Sequence, residues 1–234
     1  MREIIIDTET TGFRPEEGER IIEIGAMEMV NRIATGVTFH EYLNPEGKEV
    51  NPGAFQVHGL SNEFLADKKT FAQIADEFLA FIDGTTLIAH NAAFDMNFLN
   101  HELARLKIPA IDDEMVIDTL RLARKKFPTA QNSLDRLCER FHIDNSRRTK
   151  HGALLDCELL AEVYIELLGG RQTSLELESL NTNIAGSQIA ATLAGSSKPV
   201  RKSPLPSRLT QEEIEAHAIF IDELGEKAIW KPFL

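Results

Sequence analysis

The chain has 234 residues, 43% of them hydrophobic, which is enough for one or two domains with a buried core. Its 37 acidic and 25 basic side chains give a net charge of -12, which argues against binding long duplex nucleic acid by phosphate neutralisation alone. Cys138 and Cys157 form no CxxC pair, so a disulfide scaffold and a thiolate zinc site are excluded. No apolar run is long enough to span a membrane, and Met1–Asp7 is unlike a signal peptide, so we expect a cytoplasmic protein.

Hydrophobic periodicity is steady over residues 1–170 and predicts alternating elements there. Apolar and β-branched runs predict strands at 4–6, 21–30, 35–43, 85–89 and 115–117. Helical spacing predicts helices at 71–82, 91–106, a segment that ends at 126, 133–141 and 154–168. Three successive strands suggest an antiparallel meander. The later alternation of helices and strands completes an α/β domain, a mixed β-sheet flanked by helices.

The composition changes after residue 170. Residues 195–208 contain three prolines, four serines, four basic residues and no acid, which predicts a flexible linker. Beyond it, residues 210–213 fit a capping box, and apolar residues then recur at helical spacing up to Gly225. We therefore expect three parts: a domain at 1–170, a linker segment at 171–208 and a C-terminal helical tail at 209–234.

Two carboxylates lie two residues apart where the first strand gives way to a turn. In an extended chain Asp7 and Glu9 point to the same side, roughly 7 Å apart at ~3.3 Å per residue. That gap suits two divalent cations ~3.5–4 Å apart, the arrangement used for in-line displacement at phosphorus. Taken alone, such a pair is usually a solvated strand edge or a helix cap.

Two later segments add a histidine and two more acids. Asn91 is a natural N-cap, and Asp95 follows it one turn into the helix, where the helix dipole also favours a carboxylate. His151 and Asp156 would lie about 140° apart on one helix. Gly152 allows His151 to occupy a loop while Asp156 lies in the helix. A partly exposed histidine suits a general base near pH 7.

Together these motifs resemble a known family. Asp7–Gly12, Asn91–Asp95 and His151–Asp156 occur in the order found in the DEDDh family of 3′→5′ exonucleases. The resemblance covers residues 1 to about 170, and all four acids and the histidine are present. Within the family, the chain is most similar to bacterial proofreading exonucleases. That similarity extends to residues 57–60, 124–128, 132–135 and 144–146.

The resemblance implies a ribonuclease H-like fold and assigns roles to individual residues. Asp7, Glu9, Asp95 and Asp156 would hold two Mg²⁺ or Mn²⁺ ions, and His151 would take a proton from the attacking water. The terminal nucleotide would be bound by the following residues: Asp7, Glu9, Thr10, Thr11, Val57, His58, Phe94 and Asp156. Arg147, Arg148 and Lys150 lead into His151 and are predicted to contact strand phosphates.

The resemblance also implies partners. The substrate would be a DNA 3′ end, either single-stranded or a frayed primer terminus. Gln172, Leu175 and Leu177 resemble the short motifs that dock on a sliding clamp. Residues 209–234 are predicted to bind the catalytic alpha subunit of the polymerase, with Trp230 and Phe233 as anchors. A small theta-like subunit is a further expected partner.

Two other functions remain open from the sequence. A DEDDh exoribonuclease that trims RNA ends would have the same catalytic residues, although a simple RNA trimmer has no need of a linker and a docking helix. A non-catalytic replication adaptor would use only the tail. The presence of all four metal-binding carboxylates argues against the adaptor.

Overall fold

The computed structural model describes residues 1–170 and 210–223. The chain divides into two units, residues 1–177 and 178–234, and each is described by itself. The division into three parts predicted above stays a prediction. In the described ranges, no helix is both long and apolar enough to cross a membrane.

The first unit is built on a five-stranded mixed sheet. The strands are β1 (Arg2–Thr10), β2 (Ile21–Val30), β3 (Ile33–Tyr42), β4 (Thr86–Ala89) and β5 (Val116–Asp118). Their order across the sheet is β3-β2-β1-β4-β5. The pairs β1–β2 and β2–β3 are antiparallel, whereas β1–β4 and β4–β5 are parallel. The predicted meander and mixed sheet are confirmed, and β1 stays extended as far as Thr10.

Seven helices within residues 1–170 flank this sheet. They are α1 (Pro52–His58), α2 (Asn62–Leu65), α3 (Phe71–Ile82), α4 (Ala92–Arg105), α5 (Thr119–Lys126), α6 (Leu134–Phe141) and α7 (Ala153–Leu167). The sequence predicted α3 to α7 within a residue or two. Met115, expected in the last strand, instead ends a short 3-10 helix, Asp113–Met115.

The sequence did not predict α1 and α2 because both helices are short and lie in a stretch whose composition is typical of a loop. Asn51 caps α1 by accepting a hydrogen bond from the Gly53 N–H at 2.9 Å, and Pro52 occupies the first helical position. Gly59 ends the helix in the left-handed conformation, with φ of 76°. These cues are visible in the sequence, and they place Val57 and His58 at the last turn of α1.

The alternation of side chains along β1 divides the core into two layers. Ile4 and Ile6 pack on one face of the sheet with residues of α3 and α4, including Phe78 and Leu99. Ile5 packs on the opposite face with residues of α5, α6 and α7. The position of a residue in β1 therefore decides whether its side chain faces α4 or α7.

In the second unit, the helix predicted beyond the linker is present as α8, Gln211–Glu223. Ile219 and Phe220 on this helix are exposed. The predicted clamp-binding residues Gln172, Leu175 and Leu177 lie outside the described residues, as do the predicted polymerase-binding anchors Trp230 and Phe233.

Candidate active site

The end of β1 opens into a cavity of about 320 Å³ that all four predicted metal-binding carboxylates line. Asp7 and Glu9 share the strand face of Ile5, which is the side that α7 covers. Glu9 is 8% exposed, and its register partner on β2 is Glu23, which adds another negative charge nearby. The predicted placement of both carboxylates on one side of an extended strand agrees with the structure.

Asp95 enters the cavity from the first turn of α4, and Thr8 holds it there. The Thr8 backbone N–H and the Thr8 Oγ1 hydroxyl both donate to Asp95 Oδ1, at 3.0 and 2.7 Å. Thr8 faces α4 because it alternates with Asp7 along β1. One strand thus supplies two carboxylates on one face and the hydrogen-bond donors for a third carboxylate on the other.

The start of α4 differs from the prediction for Asn91. Asn91 occupies the N-cap position, but its side chain makes no capping hydrogen bond and its φ is 67°. Its backbone N–H instead donates to Asp118 Oδ1 at 3.1 Å, at the end of β5. Asn is one of the few residue types that accept this left-handed conformation, so the backbone, not the amide side chain, accounts for Asn91 at this position.

His151 and Asp156 reach the cavity from the start of α7, as the spacing around Gly152 predicted. His151 lies on the loop before the helix, with its side chain 44% exposed and its Nδ1 atom 3.4 Å from Asp156 Oδ2. The backbone N–H of His151 donates to the Val57 carbonyl at 3.2 Å, which connects this loop to the end of α1. Asp156 itself is buried.

Gly25 sets the distance between α7 and the sheet. A Cβ atom at Gly25 would lie 2.4 Å from both the Ala153 carbonyl carbon and the Leu154 nitrogen, closer than any real contact. Gly25 is also the register partner of Asp7. The absence of a side chain at Gly25 therefore lets the first turn of α7 approach β1 closely enough to bring Asp156 to Asp7.

The clustered carboxylates shift one another's protonation. Burial, followed by the charge of Glu23, raises the pKa of Glu9 to about 8. Burial raises the pKa of Asp95 to about 7, although the Thr8 hydrogen bonds act in the opposite direction. The pKa of Asp7 is raised well above its ordinary value by burial and by Asp95, Asp156 and Glu9. The cluster is therefore partly protonated near neutral pH unless cations enter.

Asp156 behaves differently because Arg148 contacts it. Arg148 Nε lies 2.5 Å from Asp156 Oδ1, and Arg148 Nη2 lies 2.6 Å from Oδ2. Burial acts to raise the pKa of Asp156, but the hydrogen bonds and the charge of Arg148, with a further contribution from His151, outweigh it and lower that pKa. The prediction that Arg148 contacts strand phosphates is not supported by this arrangement, since its side chain is 6% exposed and engaged with carboxylates.

The donor set fits divalent metal ions. Oxygen ligands are those that hard cations prefer, and the four carboxylates supply them. Potential ligand atoms of Glu9, His151 and Asp156 lie within 4.8 Å of one another. Burial and repulsion between neighbouring carboxylates raise the pKa of Asp7 and Glu9, and a cation bound among these groups would offset both effects.

Comparison with known proteins gives this site a family. A family model described as Exonuclease matches residues 4–164. The DNA polymerase III subunit epsilon of Rickettsia felis is 47% identical over 234 residues, which cover 97% of this chain and 99% of the relative. The protein of the same name from Escherichia coli strain K12 is 46% identical over 240 residues, covering 98% and 97%. The chain belongs to the exonuclease family of these epsilon subunits.

Solved structures confirm the expected fold. Exonuclease X in complex with 5′ overhanging duplex DNA has a TM-score of 0.54 and 24% identity, covering 71% of this chain and 90% of that one. The nuclease domain of 3′hExo, a DEDDh family member bound to rAMP, has a TM-score of 0.62 and 20% identity, covering 71% and 91%. This family implies divalent metal cations, which agrees with the donor set above.

Most of the predicted nucleotide contacts of this exonuclease lie together. Thr10, Val57, His58 and Phe94 line the same cavity as the carboxylates. Thr11 does not: it is fully buried, and its hydroxyl donates to Glu19. The structure thus brings every predicted nucleotide-contact residue except Thr11 to the cavity.

Sequence reasoning missed two residues that shape this exonuclease site, Thr8 and Gly25, and it assigned Arg148 a different role. Thr8 stands between Asp7 and Glu9 in the first motif, so strand alternation could have placed it beside a carboxylate from another element. The roles of Gly25 and Arg148 depend on their distances to α7 and Asp156, for which the sequence gives no signal.

Proposed function

We propose that this chain is the proofreading 3′→5′ exonuclease subunit of a bacterial replicative DNA polymerase. It removes mispaired 3′-terminal nucleotides by hydrolysing the last phosphodiester with the help of two divalent cations, Mg²⁺ or Mn²⁺. The observation that carries the proposal is the convergence of Asp7, Glu9, Asp95 and Asp156 with His151 on one cavity, in a chain of the epsilon-subunit family.

Each catalytic group has a defined task. Asp7, Glu9, Asp95 and Asp156 would hold the cations, which when bound would supply a water of lowered pKa and charge stabilisation at the phosphate. Thr8 fixes the orientation of Asp95 through two hydrogen bonds to Oδ1. His151 is exposed enough for water to reach its ring, so it takes the proton of the attacking water.

The remaining cavity residues suit a substrate end of any sequence. Val57, His58 and Phe94 offer apolar and ring surfaces against which a terminal base can stack, and stacking tolerates every base. Selectivity for a mismatch comes from the primer end itself, because an unpaired terminal base costs less to separate from its template. A cavity that ignores base identity is what a proofreading enzyme needs.

The segments beyond residue 170 account for residence on DNA. We assign Trp230 and Phe233 as anchors on the polymerase catalytic subunit, and Gln172, Leu175 and Leu177 as a sliding-clamp motif. A flexible linker gives the tethered nuclease an effective concentration of roughly mM at the primer end, which offsets its weak binding of DNA. A small theta-like subunit is a third proposed partner, and the cytoplasm is the proposed location.

The catalytic proposal is tested with end-labelled strands. The full chain should shorten single-stranded DNA from the 3′ end with Mg²⁺ or Mn²⁺ and should be inactive with EDTA. A mispaired primer end should be shortened faster than a paired one. Asp7→Ala should abolish the activity, while Asp113→Asn, an exposed carboxylate outside the cavity, should leave it unchanged. Normal activity of Asp7→Ala, or preference for an RNA strand, would contradict the proposal.

The tethering proposal needs a separate experiment. A chain that ends at residue 190 keeps the described nuclease unit and should still shorten single strands, but it should fail to co-purify with the polymerase catalytic subunit. Changing Gln172 and Leu175 to alanine should weaken retention on the sliding clamp. Co-purification of the truncated chain would instead assign polymerase binding to residues 1–190.

A further inference from the structure

Arg148 contacts both oxygens of the Asp156 carboxylate. Its Nε and Nη2 atoms contact the two oxygens of Asp156 at 2.5 and 2.6 Å, one nitrogen to each oxygen. Both side chains are buried, with 6% and 4% exposure. A paired guanidinium and carboxylate of this geometry are strongly held, and each oxygen of Asp156 already accepts a charged donor.

The same guanidinium contacts two further groups. Arg148 Nη1 lies 2.7 Å from Asp135 Oδ1, in the first turn of α6. Arg148 Nη2 lies 2.8 Å from His151 Nδ1. Among the residues that the structure describes, Arg148 is the only Lys or Arg that lines the cavity, so it is the one local cation facing the four carboxylates.

The contact with His151 fixes the tautomer of the ring. A guanidinium can only donate, so Nδ1 of His151 must accept, and a neutral His151 then carries its proton on Nε2. In this arrangement neither ring nitrogen has a free lone pair. The group that should accept a proton from water cannot do so while Arg148 stays in place.

We propose that Arg148 is an internal counter-ion that occupies Asp156 and the Nδ1 atom of His151 until a divalent cation displaces it from Asp156. The cation and the guanidinium compete for the same carboxylate, so cation entry and unmasking of the histidine are one event. Arg148 thus acts through Asp156 and His151, and it couples release of the histidine to entry of the cation. This inference rests on the proposed function in treating Asp156 as a metal ligand and His151 as the proton acceptor.

Competition makes a quantitative prediction for metal binding. Isothermal titration of the full chain with Mn²⁺ should give an affinity for Arg148→Gln that is about 10-fold or more tighter than for the unsubstituted chain, a coupling of ordinary size between linked events. Arg136→Gln removes the same charge from an exposed position of α6 and should stay within about 2-fold. Equal or weaker affinity for Arg148→Gln than for Arg136→Gln would overturn the proposal.

The tautomer gives a second readout that a merely structural arginine would not move. NMR spectra of the full chain labelled with ¹⁵N-histidine, assigned with the His151→Ala variant, report the tautomer. In the cation-free protein, neutral His151 should be protonated on Nε2. Saturating Mg²⁺ or Arg148→Gln should remove that constraint and shift the Nδ1 resonance. An Nδ1 resonance that neither change moves would also overturn the proposal.

Two further variants keep the outcomes distinct. If Arg148→Gln does not fold without metal, Arg148→Lys decides, since lysine keeps the charge but cannot hold both oxygens of Asp156. Arg148→Lys should bind Mn²⁺ more tightly than Arg136→Gln, and equal binding refutes the competition. Asp156→Asn should lose most of its Mn²⁺ affinity. If it binds normally, the proposed metal site is wrong, whatever Arg148 does.

Discussion

Glu9→Gln should stabilise the metal-free protein, and the gain should grow with pH. In the folded chain, burial and neighbouring carboxylates raise the pKa of Glu9 from an ordinary 4.5 to about 8. Between these values the folded state keeps a proton that the unfolded state has lost. The unfolded state therefore binds fewer protons, and stability falls as pH rises from about 4.5 to about 8. Glutamine cannot ionise, so the Glu9→Gln chain does not lose stability in this way as pH rises.

The size of the effect follows from the same two values. Each pH unit between them is worth about 1.4 kcal/mol, so ionised Glu9 destabilises the folded metal-free chain by on the order of 5 kcal/mol above pH 8. For a domain of this size, about 2–4 °C accompanies each kcal/mol. Glu9→Gln should therefore melt about 10–20 °C higher than the unsubstituted chain at pH 9, with little difference at pH 5.

The assay is thermal unfolding followed by circular dichroism in EDTA, at intervals from pH 5 to pH 9. Glu28→Gln is the matched control, because hydrogen bonds from Arg2 and Thr35 lower the pKa of Glu28. The control should show no gain that grows with pH. Added Mn²⁺ should reverse the order at pH 8 by stabilising only the chain that keeps Glu9. A gain that is constant across the pH range would refute the reasoning.

Three other substitutions test separate parts of the site. Gly25→Ala should force α7 away from β2, costing about 1–3 kcal/mol in thermal unfolding and most of the Mn²⁺ affinity, whereas Gly53→Ala, which has space for a methyl group, should cost neither. Thr8→Val removes the hydroxyl donor to Asp95, so Mn²⁺ binding by calorimetry should weaken by about 10-fold at pH 7 and by less at pH 9, where the Asp95 carboxyl has already ionised. His151→Ala should lower kcat by about 10²–10⁴ while Mn²⁺ still binds; loss of binding would make His151 a ligand instead.

Much of the fold was predictable because its elements are long and periodic. Helix α3 matches its predicted bounds, Phe71–Ile82, since apolar residues repeat along one face and Thr70 caps it. Strand β2 likewise matches its predicted bounds. Helix α1 escaped because seven residues carry too little periodicity, although Asn51 and Pro52 mark its start.

The candidate site was predictable in its members but not in its contacts. Asp7, Glu9, Asp95, His151 and Asp156 could be identified because motif order and residue type suffice for that. The ion pair between Arg148 and Asp156 could not be predicted. The two residues are eight positions apart with a loop between them, and only the folded geometry sets their distance. In the sequence, Arg147, Arg148 and Lys150 precede His151, and positively charged residues at that position indicate phosphate binding as well as they indicate an ion pair.

The packing of α7 against β1 determines when, during synthesis, the site is completed. The first catalytic carboxylates leave the ribosome near the start of translation, whereas Asp156 emerges only after most of the domain has been made. Until then β1 and β2 expose Ile5, Met27 and Met29, which α7 and its neighbours later cover. Docking of α7 is a late, long-range step of the kind that limits folding rates. A nascent nuclease is therefore inert towards DNA until the same helix that closes its core delivers the last carboxylate.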